Sequence, residues 1–491
     1  MSVTPALCRR YLRHAFSIGR LLHPSRCLKQ KISHQGRRYF LSESYSCTEA
    51  WRKRLQGPSL QNVEDYMNFT VVLRENLEKT GNASPIDIDI MSNRITDAEP
   101  NQLDYIADVL HKFRRSPNGL NMLASSTYAI VRGLIDMGQT EQLLDIIQNK
   151  HEYGLFPDPY STTILLNHCI KQGSYGEAAR MAYELMLQED FNHAPSRLLS
   201  LYACVQHARH FPTRSPEPAQ APLEEEEEED WIPVKWVRTP YYDDHFDIQD
   251  EQLLLGKTLA MLGKTEPNLI GQSCQVMGLG LYEKFALGLQ LLETFVSGGG
   301  SALVAKESMT LFESCLVNAP TRDPDAPEKE LGFRAIADEI ELMKCTPEEK
   351  ESYLDQFKVL SEKVESLGGV KEVSLGDLVK TKVEEEMGAH EQRDMEAQLA
   401  LFEEWNEQRE KLLDSQVQTI LREDKLKEVQ QKLKELKQKE EVLKYFENQP
   451  EVEFAMWRAP KEKPQPIKDS DLDPEELRAR RIKRRQFRKN I

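Results

Sequence analysis

The chain has 491 residues and a formal net charge of −16 at pH 7, from 80 acidic and 64 basic residues. This acidic balance argues against broad nonspecific phosphate binding, because affinity for nucleic acid comes largely from lysine and arginine. The eight cysteines are widely spaced and form no C-x-x-C pair, which indicates reduced thiols and excludes a disulfide framework.

Residues 1–40 are predicted to be a mitochondrial presequence. The first 42 residues carry nine lysines or arginines and no acid, and they fit a basic amphipathic helix that is too short and too polar for a secretory core or a membrane span. Residues 37–42 (RRYFLS) resemble a site at which the matrix peptidase cuts, so we expect the mature chain to begin near Phe40 or Leu41. The alternative is a basic arm that binds nucleic acid.

Residues 41–210 are predicted to form an N-terminal helical region that contains repeats. When Gly138 is aligned with Gly173, apolar residues coincide at a 35-residue period over two copies, 124–158 and 159–193. Each copy has the pattern of two amphipathic helices separated by the glycine. Because such a helical hairpin buries its faces only by stacking on neighbours, the sequence predicts an all-α solenoid.

Several residues at fixed positions in the two copies match a known repeat family. The turn glycine, Ala178 five positions after Gly173, and the ending formed by Gly154, Pro157 and Asp158 resemble the pentatricopeptide repeat. Members of that family stack helical hairpins into solenoids that hold RNA. A tetratricopeptide-like protein scaffold is the alternative, because its repeat period is nearly the same.

Base reading in the pentatricopeptide family uses one first-helix residue and the last residue of the module. In the register of the turn glycines, these pairs are Tyr128 with Asp158 and Thr163 with His193. Neither pair resembles the small polar residue with Asp or Asn that selects a base. We therefore expect an RNA-associated scaffold and not a sequence-specific reader.

A third copy begins at Pro195 and fades at Pro212, where the chain changes character. Residues 211–247 are predicted to be an acidic, proline-rich linker followed by an aromatic patch, since seven consecutive acids cannot bury enough apolar surface to fold. The patch is expected to dock on a folded surface, and stacking on bases is the alternative. Its members are Trp231, Trp236, Tyr241, Tyr242 and Phe246. Residues 248–370 regain helical periodicity and are predicted to form degenerate helical hairpins.

Several fragments look catalytic but complete no site. The Gly-Lys-Thr strings at 256–258 and 263–265 lack the earlier glycine of a phosphate-binding loop, and a predicted helix precedes both. His207 and His210 have the spacing of metal ligands, yet no Cys, Asp or Glu at ligand spacing accompanies them. The sequence therefore predicts that the protein is not an enzyme and has no cofactor, metal or small-molecule substrate.

Residues 371–449 are predicted to form one long charged helix, because positions 393–447 contain neither proline nor glycine. Its second half carries a coiled-coil-like heptad pattern of apolar residues. These are Leu426, Val429, Leu433, Leu436 and Leu443. A solvated single helix held by ion pairs between successive turns is the alternative.

Residues 450–491 are predicted to be a proline-rich tether and a basic tail that binds RNA. The cations of the tail are Arg478, Arg480, Arg481, Lys483, Arg484, Arg485, Arg488 and Lys489. A nuclear targeting signal is the alternative. A second basic element, formed by Lys112, Arg114 and Arg115 beside the predicted repeats, is also expected to contact RNA.

Four strings together resemble a narrower family. They are 110–118 (LHKFRRSPN), 153–158 (YGLFPD), 184–189 (ELMLQE) and 198–202 (LLSLY). With the presequence they are similar to the small-subunit protein twenty-seven family, the pentatricopeptide-repeat proteins of the animal mitochondrial small ribosomal subunit. The resemblance is specific over about residues 103–205, and the long helix and basic tail depart from it.

That resemblance implies a non-catalytic structural component of the mitochondrial ribosome in the matrix. It implies binding to small-subunit ribosomal RNA and to other mitochondrial ribosomal proteins, support of mitochondrial translation, and no membrane partner. The alternative from the repeats alone is a freestanding mitochondrial RNA-processing or RNA-stability factor. A protein-binding scaffold that contacts no RNA is a third class.

Overall fold

The computed structural model of the chain describes residues 40–61, 63, 65–211, 242–297, 304–322, 344–445 and 447–458. The described residues form eighteen α-helices and one pair of two-residue parallel strands, so the predicted all-α class is confirmed. The chain divides into two compact units, residues 1–415 and 416–491.

The first unit begins with five helices that precede the predicted repeats. They are α1 (Thr48–Leu55), α2 (Pro58–Gln61), α3 (Tyr66–Thr80), α4 (Pro85–Asn93) and α5 (Leu103–Arg114). Their starts follow local sequence rules: the Asp65 side chain accepts the Asn68 backbone N–H at the start of α3, and Pro85 occupies the first turn of α4.

The predicted hairpins are present and stack in two layers. Their helices are α6 (Ala124–Asp136), α7 (Thr140–Gln148), α8 (Lys150–Tyr153), α9 (Pro159–Gln172), α10 (Tyr175–Leu187) and α11 (Ala194–His210). The first helices α6, α9 and α11 pack in sequence, and the second helices α7 and α10 pack beside them. This arrangement is a helical-repeat solenoid.

The turn glycines allow each hairpin to reverse direction. Gly138 and Gly173 have φ of +72° and +83°, a left-handed conformation that glycine adopts without a Cβ clash. At the end of the first copy Gly154 has φ of +74°, and the Asp158 side chain then caps the start of α9.

The solenoid continues beyond the third first helix. The later elements of the first unit are α12 (Glu251–Lys264), α13 (Leu269–Leu281), α14 (Phe285–Ser297), β1 (Val304–Ala305), α15 (Lys306–Asn318), α16 (Pro347–Ser366) and β2 (Val370–Lys371). Helix α12 packs on both α10 and α11, the place of a second helix in the third hairpin. The third copy therefore resumes at Glu251, and residues 212–241 between its helices lie outside the described part.

The glycines that resembled a phosphate-binding loop serve helix packing instead. A Cβ at Gly256 would lie 2.3 Å from the Tyr282 backbone nitrogen, and one at Gly263 would lie 2.6 Å from the Gly271 carbonyl oxygen. Helices α12 and α13 therefore approach each other at a distance that only glycine permits.

The longest helix is α17 (Leu375–Lys444), followed by α18 (Gln449–Arg458). Residues 375–415 of α17 belong to the first unit, and its buried residues, from Leu375 to Arg409, all lie there. The predicted long helix is confirmed, whereas its coiled-coil pairing stays a prediction.

Candidate nucleic-acid interface

The two first-helix positions that correspond to base-reading residues are buried. Tyr128 in α6 and Thr163 in α9 are 1% and 0% exposed. The Thr163 hydroxyl also donates a 2.8 Å hydrogen bond to the Pro159 carbonyl of its own helix. A base must reach a side chain in order to be recognised by it. Neither residue offers such contact in this structure.

Aromatic rings from two distant segments cover Tyr128. Its ring centroid lies 5.0 Å from that of Trp51 in α1, and 5.4 and 5.5 Å from those of Phe402 and Trp405 in α17. Aromatic pairs at such distances contribute about 0.5–1.5 kcal/mol each beyond the area they bury. Residues 40–55, the N-terminal cover, and residues 375–409, the helical cover, thus occupy the first-helix face of the repeats.

The module-end residues also make internal contacts. Asp158 accepts the Ser161 backbone N–H at 3.3 Å, and burial raises the pKa of this carboxyl although those hydrogen bonds oppose the rise. His193 Nε2 lies 3.0 Å from Asp394 Oδ2 in the helical cover. The same carboxylate oxygen accepts the Tyr45 hydroxyl at 3.2 Å. Asp394 therefore joins the N-terminal cover, a module end and the helical cover.

The N-terminal cover is fixed from its first described residue. The Phe40 ring lies edge-on to Tyr202, with centroids 4.7 Å apart, and Leu41 is buried. The Ser42 backbone N–H donates to Glu391 Oε1 at 3.1 Å. This segment therefore packs against both the repeats and the helical cover.

A buried carboxylate attaches the far end of the helical cover. Asp89 in α4 accepts the Arg409 Nε–H at 2.6 Å, the Ser126 hydroxyl at 3.0 Å and the Asn93 amide at 3.0 Å. The Ser125 hydroxyl is a fourth donor. These four hydrogen bonds all end on the carboxylate, and a hydrogen bond to an ionised group is stronger than one between neutral groups.

A second arginine lies beside this cluster. Arg54 donates to Asn93 Oδ1 at 2.6 Å, and its guanidinium carbon lies 4.9 Å from the Trp51 ring and 5.5 Å from the Trp405 ring. Burial, followed by the charge of Arg409, lowers the Arg54 pKa to about 9, so it remains protonated at pH 7. Cation–π contact with both rings stabilises that charge.

The predicted basic element beside the repeats is partly used within the fold. Lys112 Nζ forms ion pairs with Glu78 at 2.8 Å and with Asp108 at 2.9 Å. These hydrogen bonds raise the Lys112 pKa, with Glu78 making the larger contribution. Its charge is therefore largely balanced by its neighbours.

The two arginines of this element differ from each other. Arg114 Nε donates to the His151 carbonyl at 3.3 Å, and its guanidinium lies 6.0 Å from the Phe156 ring. Arg115 is exposed, and no ion pair to it occurs within the described residues. Of the three predicted residues, Arg115 presents the most available charge.

Most of the remaining predicted site residues lie outside the part of the chain that the structure describes. The tail cations Arg478, Arg480, Arg481, Lys483, Arg484, Arg485, Arg488 and Lys489 lie outside the described residues. So do Trp231, Trp236 and Tyr241 of the aromatic patch, whereas Phe246 is described and is 65% exposed.

The histidines with metal-ligand spacing make separate polar contacts. His207 Nε2 lies 3.1 Å from Glu251 and His210 Nδ1 lies 2.8 Å from the Gln206 carbonyl. The described residues contain no cluster of three or more His, Cys, Asp or Glu side chains arranged to hold a metal ion. Over the same residues, no helix has the length and apolar character that crossing a membrane requires.

A cleft of about 950 Å³ lies between the N-terminal cover, α9 and the helical cover. Its charged lining residues are Glu43, Glu49, Arg52, Lys171 and Glu396. Acids outnumber bases here, so the cleft does not have the electrostatic character of a phosphate-binding groove.

Sequence reasoning did not find the two covers. The available signal was the pair of large apolar residues Phe402 and Trp405 in a largely charged part of α17, upstream of the heptad. Such residues indicate that one side of the helix is buried there. Arg409 sits one turn beyond Trp405, and nothing in the sequence pairs it with Asp89.

The protein is a stack of helical hairpins, and the N-terminal and helical covers of the same chain pack over the face formed by the first helix of each hairpin. These features define a helical-repeat scaffold protein. The sequence matches the model of the family described as mitochondrial 28S ribosomal protein S27 over residues 12–435, and the chain belongs to that family. It is therefore a component of the mitochondrial small ribosomal subunit and not an enzyme, which confirms the predicted family and class.

Proposed function

We propose that the protein is a structural element of the mitochondrial small subunit in the matrix, where it binds ribosomal RNA and neighbouring ribosomal proteins and supports translation. The observation that carries this proposal is the burial of Tyr128 and Thr163 under the two covers. A repeat array that uses its first-helix face for internal packing suits a scaffold and does not suit a reader of single-stranded sequence.

RNA contact in this proposal is local. The chain as a whole is acidic, so phosphate binding must come from basic elements at particular places. Arg115, with Lys112 and Arg114 behind it, is one such place, and the cluster 478–489 is the other. Recognition would depend on the shape of a prefolded RNA, because phosphate contacts position a protein but carry no sequence information.

Sucrose-gradient sedimentation of mitochondrial lysate tests the proposal. Migration with the small subunit that survives high salt is the expected result. Migration as a free protein or in nonribosomal RNA particles would favour a freestanding RNA-processing or RNA-stability factor. If the protein migrates with the subunit but forms no crosslink to RNA, it is a scaffold that binds proteins only.

A further inference from the structure

The second unit carries an apolar stripe that nothing in the described residues covers. Its five heptad residues in α17 are between 52% and 79% exposed, and none of the described residues of this unit is buried. They are Leu426, Val429, Leu433, Leu436 and Leu443. Leu426, Val429, Leu433 and Leu436 follow one another at alternating spacings of three and four residues and form a seam along one side of the helix, whereas Glu440 occupies the next seam position before Leu443.

The flanks of this stripe are almost entirely basic. In the heptad set by the leucines, the positions on either side of the seam (e and g) are occupied by five lysines and one glutamine. They are Lys425, Gln430, Lys432, Lys437, Lys439 and Lys444. Glu428 and Glu435 occupy position c, away from the seam, and Glu440 at position a is the one acid within the seam over residues 425–444. Most of the acidic charge therefore lies on other faces of the helix.

This charge pattern disfavours a second copy as the occupant. In a parallel pair, Lys432 of one helix faces Lys437 of the other, and Lys439 faces Lys444. In an antiparallel pair, like positions face each other, and these are again lysines. Like charges across a seam disfavour pairing in either orientation, and residues at e and g set partner choice.

Few of these lysines are neutralised by the helix itself. Lys444 pairs with Glu440 at 2.7 Å, whereas no hydrogen bond or ion pair joins Lys425, Lys432 or Lys439 to another described residue. RNA would satisfy the lysines but would leave the leucines in water, since phosphate offers no apolar surface. An amphipathic helix with acidic flanks satisfies both features.

We propose that the stripe of residues 425–444, the basic seam, docks an amphipathic helix of another protein whose residues beside the seam are acidic. This inference rests on the proposed function, in which the protein binds neighbouring ribosomal proteins. The partner inserts its apolar residues between Leu433 and Leu436 and their neighbours, and its carboxylates face Lys432, Lys437 and Lys439.

A charge-reversal experiment tests the chemistry of the seam in the full-length protein. K432E/K437E reverses two charges beside the seam, and K427E/K434E reverses two on the outward face of the same helix as a matched control. We expect native protein mixed with K432E/K437E to associate at least tenfold more tightly than either protein alone in sedimentation equilibrium, and salt to weaken the association. Native protein mixed with K427E/K434E should stay monomeric. Self-association of the native protein as strong as the mixed pair would overturn the proposal.

Photo-crosslinking identifies the occupant in intact mitochondrial small subunits. Benzoylphenylalanine replaces Leu436 in the seam or Gln431 on the outward face, and neither change disturbs a core, since both sites are exposed. An adduct from the Leu436 position alone, to a helical segment of another protein rich in Asp and Glu, is expected. Adducts to RNA, to a second copy or to this chain, or equal adducts from both positions, would contradict it. Sedimentation of the same variants with the small subunit tests the proposed function separately.

Discussion

The Arg409 guanidinium lies 2.6 Å from the Asp89 carboxylate, although 320 residues separate them in the chain and both side chains are almost wholly buried. The pair joins the helical cover to α4. Arg54 donates to Asn93, and the Asn93 amide donates to the same Asp89 carboxylate, so the two guanidiniums belong to one buried hydrogen-bond network.

Removal of Arg409 should destabilise the first unit strongly. Breaking a buried ion pair costs about 3–5 kcal/mol, because it leaves an uncompensated buried charge. We expect Arg409→Ala to lower the free energy of urea unfolding by that amount, and Lys411→Ala, at an exposed site two residues away, to change it by less than about 0.5 kcal/mol. In a double-mutant cycle with Asp89→Asn, the losses should not add. Additive losses would show that the two residues do not interact.

Replacement of Tyr128 should affect stability and not base preference. Tyr128→Ala removes a ring packed against three others and is expected to cost about 3–5 kcal/mol, whereas Tyr128→Phe keeps the ring and serves as the matched control. The double variant Tyr128→Phe/Thr163→Ser should select the same RNA sequences from a random pool as the native protein does. A switch of preferred base in that variant would show that these repeats read sequence.

The partly buried Asp158 cap of α9 should respond to pH in a defined direction. Because burial raises the Asp158 pKa above its ordinary value of 3.8, ionisation of Asp158 disfavours the folded state. This cost is absent below pH 3.8, grows as pH rises through the interval between the unfolded and folded pKa, and is constant above it. Asp158→Asn keeps a capping oxygen, so it should be more stable than the native protein at pH 7 and equal to it in strong acid.

Asp65→Asn provides the matched control for that experiment, since Asp65 caps α3 in the same way but is exposed. The change in stability of Asp65→Asn gives the effect of replacing a capping carboxylate by an amide at an exposed position. A stabilisation at Asp158 that persists unchanged in acid would contradict the assigned cause.

Import should remove the residues before the N-terminal cover. Leu41 is buried and the Phe40 ring packs on Tyr202, so cleavage near Phe40 preserves the cover, whereas cleavage several residues later would remove packed side chains. N-terminal sequencing of protein from mitochondria should begin at Phe40 or Leu41. An intact Met1 chain recovered from the cytosol would argue against a presequence.

The basic tail should account for much of the salt dependence of RNA binding. Replacement of Arg481, Lys483, Arg484 and Arg485 by Ala should weaken binding and flatten the log-log salt slope, by up to about 0.7–0.9 per lost phosphate contact. Thermal stability should not change, since these replacements remove charge and little apolar surface.

Four exposed lysines that each pair with a carboxylate supply the control for the tail variant. They are Lys358, Lys411, Lys427 and Lys444. Their replacement by Ala should leave the slope nearly unchanged. Equal effects of the two quadruple variants would indicate that binding depends on net charge alone.

The local features of the fold could be predicted because they depend on neighbouring residues. Gly138 and Gly173 mark the hairpin turns through their need for a positive φ, and apolar residues at helical spacing mark the buried faces. The absence of proline and glycine likewise predicted the long helix. These signals lie within a few residues of the structure that they specify.

The use of the first-helix face could not be predicted in the same way. Tyr128 has the character of a core residue or a stacking platform, and its sequence neighbourhood does not distinguish them. The decision depends on Trp51 and Trp405, which lie in different helices far along the chain. Lys112 shows the same limit, because its ion-pair partner Glu78 lies on another helix and is not visible from the neighbouring sequence.

The helical cover has a consequence for the order in which the protein acquires its structure. An imported chain enters the matrix with its N-terminus first, so Asp89 arrives 320 residues before Arg409. During that interval the α4 carboxylate and the aromatic surface around Tyr128 lack the groups that bury them in the finished chain. A nascent or truncated chain that stops before residue 375 would therefore expose the interior of its repeats, and a premature stop codon late in the message would damage the N-terminal half of the protein as much as the end it deletes.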